Sequence, residues 1–390
     1  MKNWDLLYIT YIDMEEPATT GSSVRPIRFW EAFRQLGISV KLLEGANNRG
    51  AIRKRNCREI LTWMEDNHPR LCYVELPSGP IFHTIDYKVM KKLKEQGTTI
   101  GVFYRDIYWR FPIRDFEEGG KSHLSLTAQL KHRVVQYLQR RDLRFFQKTV
   151  DLFFVPSRRV AELAGFTESF VPLPPAGKEV EKGGAYEKDC QRIQGGDRLV
   201  FLYVGNVSER YGTSLMMDAM QGLNRDRIQA ELILVCPPGR WEETGYAAKY
   251  GKSSSWLHLE QAAPGHGLEE LYAKADLCLL PLRKTPYNDL AVSVKLFEYA
   301  SYCKPILATN LDVMGKIVGE AEIGWVSPDV VPAYQERLRH IVNNRQELLE
   351  KKARVKAFAR RNTWRERAKE VLAYLEREQK TATEENGEEE

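Results

Sequence analysis

The sequence predicts an α/β fold built from two Rossmann-like domains. Strand-like apolar runs alternate with amphipathic stretches in two separate series, the pattern of a parallel sheet with crossover helices. Between the series, residues 176–198 read AGKEVEKGGAYEKDCQRIQGGDR, polar, glycine-bearing and without apolar period, which marks a linker. A chain of 390 residues also exceeds what one hydrophobic core usually organises, and an apolar content of 43% is enough for two. The expected division is a first domain at 1–178, a linker at 179–198, a second domain at 199–362, a closing helix at 363–380 and an acidic tail at 381–390.

The first domain opens on a strand at 6–10. A polar loop through Pro17, Thr19, Thr20, Gly21, Ser22 and Ser23 leads into a helix over 24–36, ended by Gly37, and a strand at 40–43. That order opens a Rossmann-like domain, but no GxGxxG is present and a dinucleotide fingerprint is unsupported. Gly21 and Ser22 suit a backbone-lined floor for a phosphate or sugar, and equally a turn that needs glycine. Helices at 60–67 and 87–96 and strands at 72–76 and 99–104 continue the alternation. The last strand runs out into YRDIYWRF at 104–111. Rings stack on sugars and arginine forks hold carboxylates or phosphates, so Arg105 and Asp106 become catalytic candidates facing an acceptor. The alternative is an Arg105–Asp106 ion pair with the rings packed under the next helix.

Residues 121–148 hold seven Lys or Arg against one acid, Asp142, with Leu124, Leu130, Val134, Leu138 and Phe145 close to one stripe. Such a helix lies on an anionic bilayer, or is core on one side and solvated on the other; both readings stay open. A strand at 152–155 resumes the sheet.

The second series runs strand 199–204, helix 214–221, strands 231–236 and 256–259, helix 268–274 and strand 277–282. The most informative stretch follows at 288–310, NDLAVSVKLFEYASYCKPILATN. Val292, Leu296, Tyr299, Ala300 and Cys303 recur at helical spacing and face a core, which leaves Lys295 and Glu298 together on another face. Pro305 stops the helix and 306–309 reads as the next strand. The loop before this helix leaves the carboxyl end of a parallel strand, where open α/β sheets place ligands. Helices begin again near 333, and a capping box from Thr363 to Glu366 opens a last helix to about 378. The acidic tail beyond it is expected to be disordered.

The net charge is +5, and because residues 381–390 contribute five Glu without Lys or Arg, the first 380 residues carry +10. That balance favours anionic partners. Six cysteines without a CxxC pair, several in apolar runs, read as buried reduced thiols, and no signal peptide or membrane-length apolar run appears. A cytosolic setting is expected, with any membrane contact peripheral.

The runs VGNVSERYG at 204–212, ADLCLLPL at 275–282, VKLFEYASYCKPILAT at 294–309 and TWRERAKEVLAYLE at 363–376 resemble, in order and spacing, the GT-B glycosyltransferases of the retaining family 4 type, glycosyl transferases group 1. GSSVRPIRFWEAFRQLGISV and VDLFFVPSRRVAELAGF echo the same family in the first half. The resemblance implies two domains facing across a cleft, acceptor in the first and donor in the second, with the C-terminal helix packed back on the first. It puts Glu298 on the donor ribose hydroxyls, Lys295 on diphosphate charge, and Gly205 and Asn206 beside the diphosphate. Family members commonly carry a second carboxylate where Leu290 stands, an Arg at Asn206 and a Lys at Tyr211. The neighbouring Asn288, Asp289 and Arg210 are then the candidates for donor contact, catalytic carboxylate and missing cation.

What the resemblance implies is sugar transfer from a nucleotide diphosphate sugar to a saccharide or lipid-linked acceptor, in cell-surface polysaccharide or glycolipid synthesis. No cofactor, metal or nucleic acid is expected, and the setting is cytoplasmic at the inner face of the plasma membrane. Two rivals are a sugar-nucleotide epimerase on the same fold and a non-catalytic sugar-nucleotide-binding protein.

Overall fold

A computed structural model describes residues 2–15, 21–112, 126–166, 169–180, 185–251, 253–262 and 267–387. The chain divides into unit 1, Met1–Pro174 with Trp364–Glu390, and unit 2, Pro175–Thr363. Unit 1 holds β1 (Lys2–Thr10), α1 (Gly21–Gln35), β2 (Val40–Leu43), α2 (Gly50–Asp66), β3 (Asn67–Glu75), α3 (Thr84–Glu95), β4 (Thr99–Phe103), α4 (Leu126–Thr149), β5 (Leu152–Val155), α5 (Arg158–Ala164) and β6 (Phe170–Pro172). Unit 2 continues with α6 (Ala185–Gln194), β7 (Leu199–Val204), α7 (Thr213–Leu223), β8 (Ala230–Cys236), α8 (Arg240–Glu243), α9 (Tyr246–Tyr250), β9 (Leu257–Gln261), α10 (Glu269–Lys274), β10 (Leu277–Leu280) and α11 (Val294–Ser301). It closes with β11 (Ile306–Thr309), α12 (Met314–Glu320), β12 (Gly324–Ser327), α13 (Val331–Asn343) and α14 (Arg345–Arg361), before α15 (Trp364–Gly387) joins unit 1.

Each unit is a six-stranded parallel sheet with helices as crossovers, the two Rossmann-like α/β domains expected from the sequence. In unit 1 the order is β2-β1-β3-β4-β5-β6, with Tyr8 between Leu42 and Tyr73 and Tyr73 opposite Gly101. The crossover helices cover both faces of the inner strands, so LCYV at 71–74 is apolar without alternation. In unit 2 the order β12-β11-β10-β7-β8-β9 separates two apolar layers: Phe201 and Tyr203 face one, Leu202 the other.

The helix α15 completes the core of unit 1. Trp364 meets Phe29 edge-on at 5.6 Å, and Leu375 lies over Gly101, where a Cβ would strike its Cδ2. Ala368, Val371 and Leu375 are fully buried, and each of the larger two gives about 1.5–3 kcal/mol by leaving water.

Three expectations are corrected. The stretch 185–194, read as linker, forms α6 and puts Asp189 and Ile193 into the core of unit 2. The helix seen only over 60–67 begins at Gly50, because Arg53 occupies a core position of α2 as an ion pair with Asp86. The closing helix runs to Gly387, past the start of the stretch expected to be disordered. The loop residues Pro17, Thr19 and Thr20, and Leu124 of the basic segment, lie outside the described residues.

The remaining basic segment forms α4. Its buried face holds Gln139, Asp142, Leu143, Phe146 and Thr149, and Phe145 packs on Tyr87 at 4.6 Å. Leu130 and Val134, two of the apolar residues close to one stripe, point to solvent.

Candidate functional site

In unit 2 the strand order reverses at β7, whose neighbours are β8 on one side and β10 on the other. The crevice outside the carboxyl ends of β7 and β10 is the switch point at which such sheets bind ligands. Two loops border it, 205–212 after β7 and 281–293 after β10.

The helix α11 is pinned to this crevice by Tyr299. Its buried phenol accepts from the Val204 amide at 3.1 Å and donates to the Val204 carbonyl at 3.3 Å, tying the helix to the last residue of β7. Ser293 caps the helix by accepting from the Lys295 amide. One turn of helix then projects Lys295 toward the first loop. Its Nζ fills the space a side chain at Gly205 would need, since a Cβ there would overlap it, and it lies 5.1 Å and 5.4 Å from the ring centroids of Tyr203 and Tyr211. Gly205 has φ +155, a backbone conformation that suits glycine.

Lys295 makes no ion pair among the described residues. The i, i+3 pair with Glu298 that spacing allows is not formed, and Glu298 contributes only through its field. Burial pushes the Lys295 ammonium down to about 8, against a smaller upward pull from Glu298. Glu298 is half-buried on the same helix one turn further on.

A Gly205→Ala protein should therefore unseat Lys295. In ¹³C-methylated protein its NMR titration is expected near 8 in the parent and near the ordinary 10.5 in the variant; unchanged titration would place the ammonium elsewhere.

A second cation reaches the same loop from a different element. Arg240, at the start of α8, donates from Nε to Asn206 Oδ1 at 3.1 Å, and that oxygen also accepts from the Val207 amide at 2.9 Å. Tyr203 donates its hydroxyl to the Asn206 carbonyl at 2.6 Å, so the loop is held from three sides. Asn206 stands where the resembled family carries Arg, and Tyr211 where it carries Lys. Here Arg240 stands at the first of these residues and Lys295 at the second.

The loop after β10 is built around Asn288. It is buried, donates from Nδ2 to the Arg283 carbonyl at 2.8 Å, and lies 3.5 Å from Arg210 Nε, whose guanidinium sits over Tyr287 at 5.1 Å. Asp289 accepts from Lys284 Nζ at 3.0 Å and from the Asp312 amide at 3.2 Å. Its carboxylate is thus engaged in holding the loop to the segment after β11. Leu290 is buried. Among the described residues no group of three or more His, Cys, Asp or Glu is placed to hold a metal ion.

Residues 188–362 match the family Glycosyl transferases group 1. The match covers most of unit 2 and carries every site residue just described. Among solved structures, the Anabaena protein Alr3699/HepE in complex with UDP is similar at 12% identity and TM-score 0.59, over 95% of this chain and 99% of that one. WaaG, a glycosyltransferase involved in lipopolysaccharide biosynthesis, is similar at 15% identity and TM-score 0.62, over 95% and 99%. A glycosyltransferase from Rickettsia africae gives 10% identity and TM-score 0.63, over 97% and 99%. At such identities the likeness is one of fold, and that fold is the GT-B type of two Rossmann-like domains. No curated protein matches the chain in sequence.

The family match does not extend to unit 1, whose candidates rest on geometry alone. Gly21 and Ser22 form the first turn of α1. Arg105 Nη2 lies 3.4 Å from Glu75 Oε2. Glu75, buried at the carboxyl end of β3, also accepts from Arg25 Nε at 2.8 Å and from Tyr73 at 2.7 Å. Asp106 accepts from the Tyr108 amide at 2.9 Å and shapes the turn. Of the aromatic loop, Tyr104 and Trp109 are buried and joined by a 3.1 Å hydrogen bond, so they are core and not an open stacking platform. Arg105 and Asp106 do line a small cleft with Leu76, Gly79, Gln139 and Asp142.

Sequence reasoning missed Arg240 and Glu75. The signal for Arg240 was PPGR directly after an apolar strand, which puts a cation at the carboxyl edge of the sheet.

Proposed function

We propose that the chain transfers a glycosyl group from a nucleotide diphosphate sugar to a saccharide or lipid-linked acceptor, with retention at the anomeric carbon, in cell-surface polysaccharide or glycolipid synthesis. The observation that carries this reading is Lys295, a half-buried ammonium without a carboxylate partner, set against Gly205 at the switch point of unit 2. Such a group is stabilised by an anion, and a diphosphate is the anion that a Gly205 backbone can approach closely.

In this reading Glu298 accepts from the two ribose hydroxyls, which a carboxylate can do simultaneously. Lys295 and Arg240 hold the diphosphate, and Arg210 stands over the loop after β10. The bond between the anomeric carbon and the diphosphate oxygen breaks with its electron pair going to the diphosphate. An acceptor hydroxyl forms the new bond and its proton passes to the departing diphosphate oxygen. Cations already in place where the leaving charge develops are the main source of rate. Arg105, held by Glu75, and Asp106 line the cleft proposed for the acceptor. Asp289 positions the loop through Lys284. The UDP and UDP-glucose complexes of the Anabaena neighbour support a uridine nucleotide as the first donor to try.

The test is a thermal-shift screen of UDP, GDP and ADP with their sugars, in which a ligand raises the melting temperature with its occupancy. Glu298→Ala should weaken the best ligand by roughly 10- to 100-fold, the worth of hydrogen bonds to a charged group. An undiminished shift in the variant would move the ribose away from Glu298. Incubation with the donor should then release nucleoside diphosphate and glycoside; an isomerised sugar nucleotide would favour the epimerase instead.

A further inference from the structure

We infer that the solvent face of α4 docks unit 1 onto an anionic lipid surface. This goes beyond the transfer reaction and is independent of it. The helix presents one ridge of exposed side chains at spacings of three, four and seven: Leu126, Leu130, Arg133, Tyr137, Arg144 and Lys148. Leu126 is 83% exposed, Leu130 65% and Tyr137 68%, with Val134 alongside at 50%. Aliphatic side chains so fully in water, in a helix whose opposite face already fills the core, contribute nothing to the fold of unit 1.

The charges beside them choose the partner. Lys131, Arg133, Arg140, Arg144 and Lys148 are exposed on α4. Its single acid, Asp142, is buried, accepting from the Ile81 amide at 2.7 Å and from the Tyr87 hydroxyl. A helix with apolar residues in its first three turns and cations throughout the rest fits the boundary between acyl chains and anionic headgroups. Pairing with a second copy would set these cations against one another. A nucleic acid would meet the cations but leave Leu126, Leu130 and Val134 without a purpose. Phe82, 56% exposed, is brought beside the helix because Arg141 Nη2 and Asp142 hold the Ile81 backbone, each at 2.7 Å. No described helix is long and apolar enough to cross the bilayer, so contact through this ridge is peripheral.

The test is cosedimentation of the full chain with vesicles of equal parts phosphatidylcholine and phosphatidylglycerol, and of phosphatidylcholine alone. Binding is expected to the first and not to the second, and to weaken with salt. Two variants separate the contributions, Leu126→Asp with Leu130→Asp, and Arg133→Glu with Arg144→Glu and Lys148→Glu. At about fivefold per charge, the second should bind roughly 100-fold more weakly or worse. All changed residues are exposed, so unaltered melting temperatures confirm that loss is not misfolding. Equal binding to both vesicle types, no binding, or undiminished binding by both variants would overturn the inference. So would a dimer in sedimentation equilibrium that Leu130→Asp dissolves, which would assign the ridge to a second copy.

Discussion

Replacing Asp189 with Asn is expected to lower the stability of unit 2 by about 3–5 kcal/mol, the cost of leaving buried charge uncompensated. The carboxylate of Asp189 receives both Lys304 Nζ and Lys352 Nζ, the second at 2.8 Å. Lys352 is fully buried and Lys304 is 2% exposed. Two carbonyls, of Ala275 and Cys303, solvate the ammoniums at 2.8 and 3.1 Å but carry no counter-charge. Burial, and then the neighbouring Lys352, already push the Lys304 ammonium down from its ordinary value. Without Asp189, one lysine must lose its proton or the segment must open to water. Calorimetry on the full chain should show the transition of unit 2 lowered by several degrees, at about 2–4 °C per kcal/mol. A matched replacement, Asp189→Leu with Lys304→Met and Lys352→Met, is expected to recover most of the loss. A change under 1 kcal/mol in the single variant would mean that water already reaches the triad.

Lys295→Met is expected to cost on the order of 10²–10³-fold in kcat/KM, the usual effect of removing one pre-placed group that meets developing negative charge. The pH profile distinguishes this from a packing defect. In the free protein Lys295 titrates at about 8, below its ordinary value because it is buried, and a bound diphosphate favours the protonated form. Donor affinity should hold steady below pH 8 and fall by about tenfold per unit above it. In Lys295→Met that dependence disappears. Stability runs the other way: between about 8 and 10.5 the unfolded chain keeps the proton that the folded one has lost, so this group's contribution rises across that window. A parent profile flat through pH 9 would remove Lys295 from contact with the diphosphate.

The strands were legible because both sheets are parallel and covered on both faces, so that Leu152–Val155, Leu199–Val204 and Ile306–Thr309 stand out as apolar runs. The helices that hid share a cause. In α2 the core position nearest Asp86 is taken by Arg53, whose Nη1 also reaches the Thr10 carbonyl at 2.7 Å. In α6 the inward face is Asp189 with Ile193. A charged residue that is buried through its partners looks like a solvent residue in a hydrophobic pattern, and the period vanishes. The site divides similarly. Lys295 and Glu298 could be set on one face by counting along one helix. Arg240 could not, because its meeting with Asn206 crosses from one loop to another. Nor can sequence tell a ring that faces the core, as Trp109 does, from one that awaits a ligand.

The position of α15 sets an order of assembly. Unit 2 is a single uninterrupted run of chain, whereas unit 1 needs Trp364, Val371 and Leu375 to cover β3 and β4. On the ribosome those residues emerge only after all of unit 2 has been made. Unit 2 can therefore reach its native state while unit 1, begun first, still exposes the apolar strip around Phe29, Gly101 and Phe154. Unit 1, begun first, is thus the last to finish folding, because its core stays open until α15 docks.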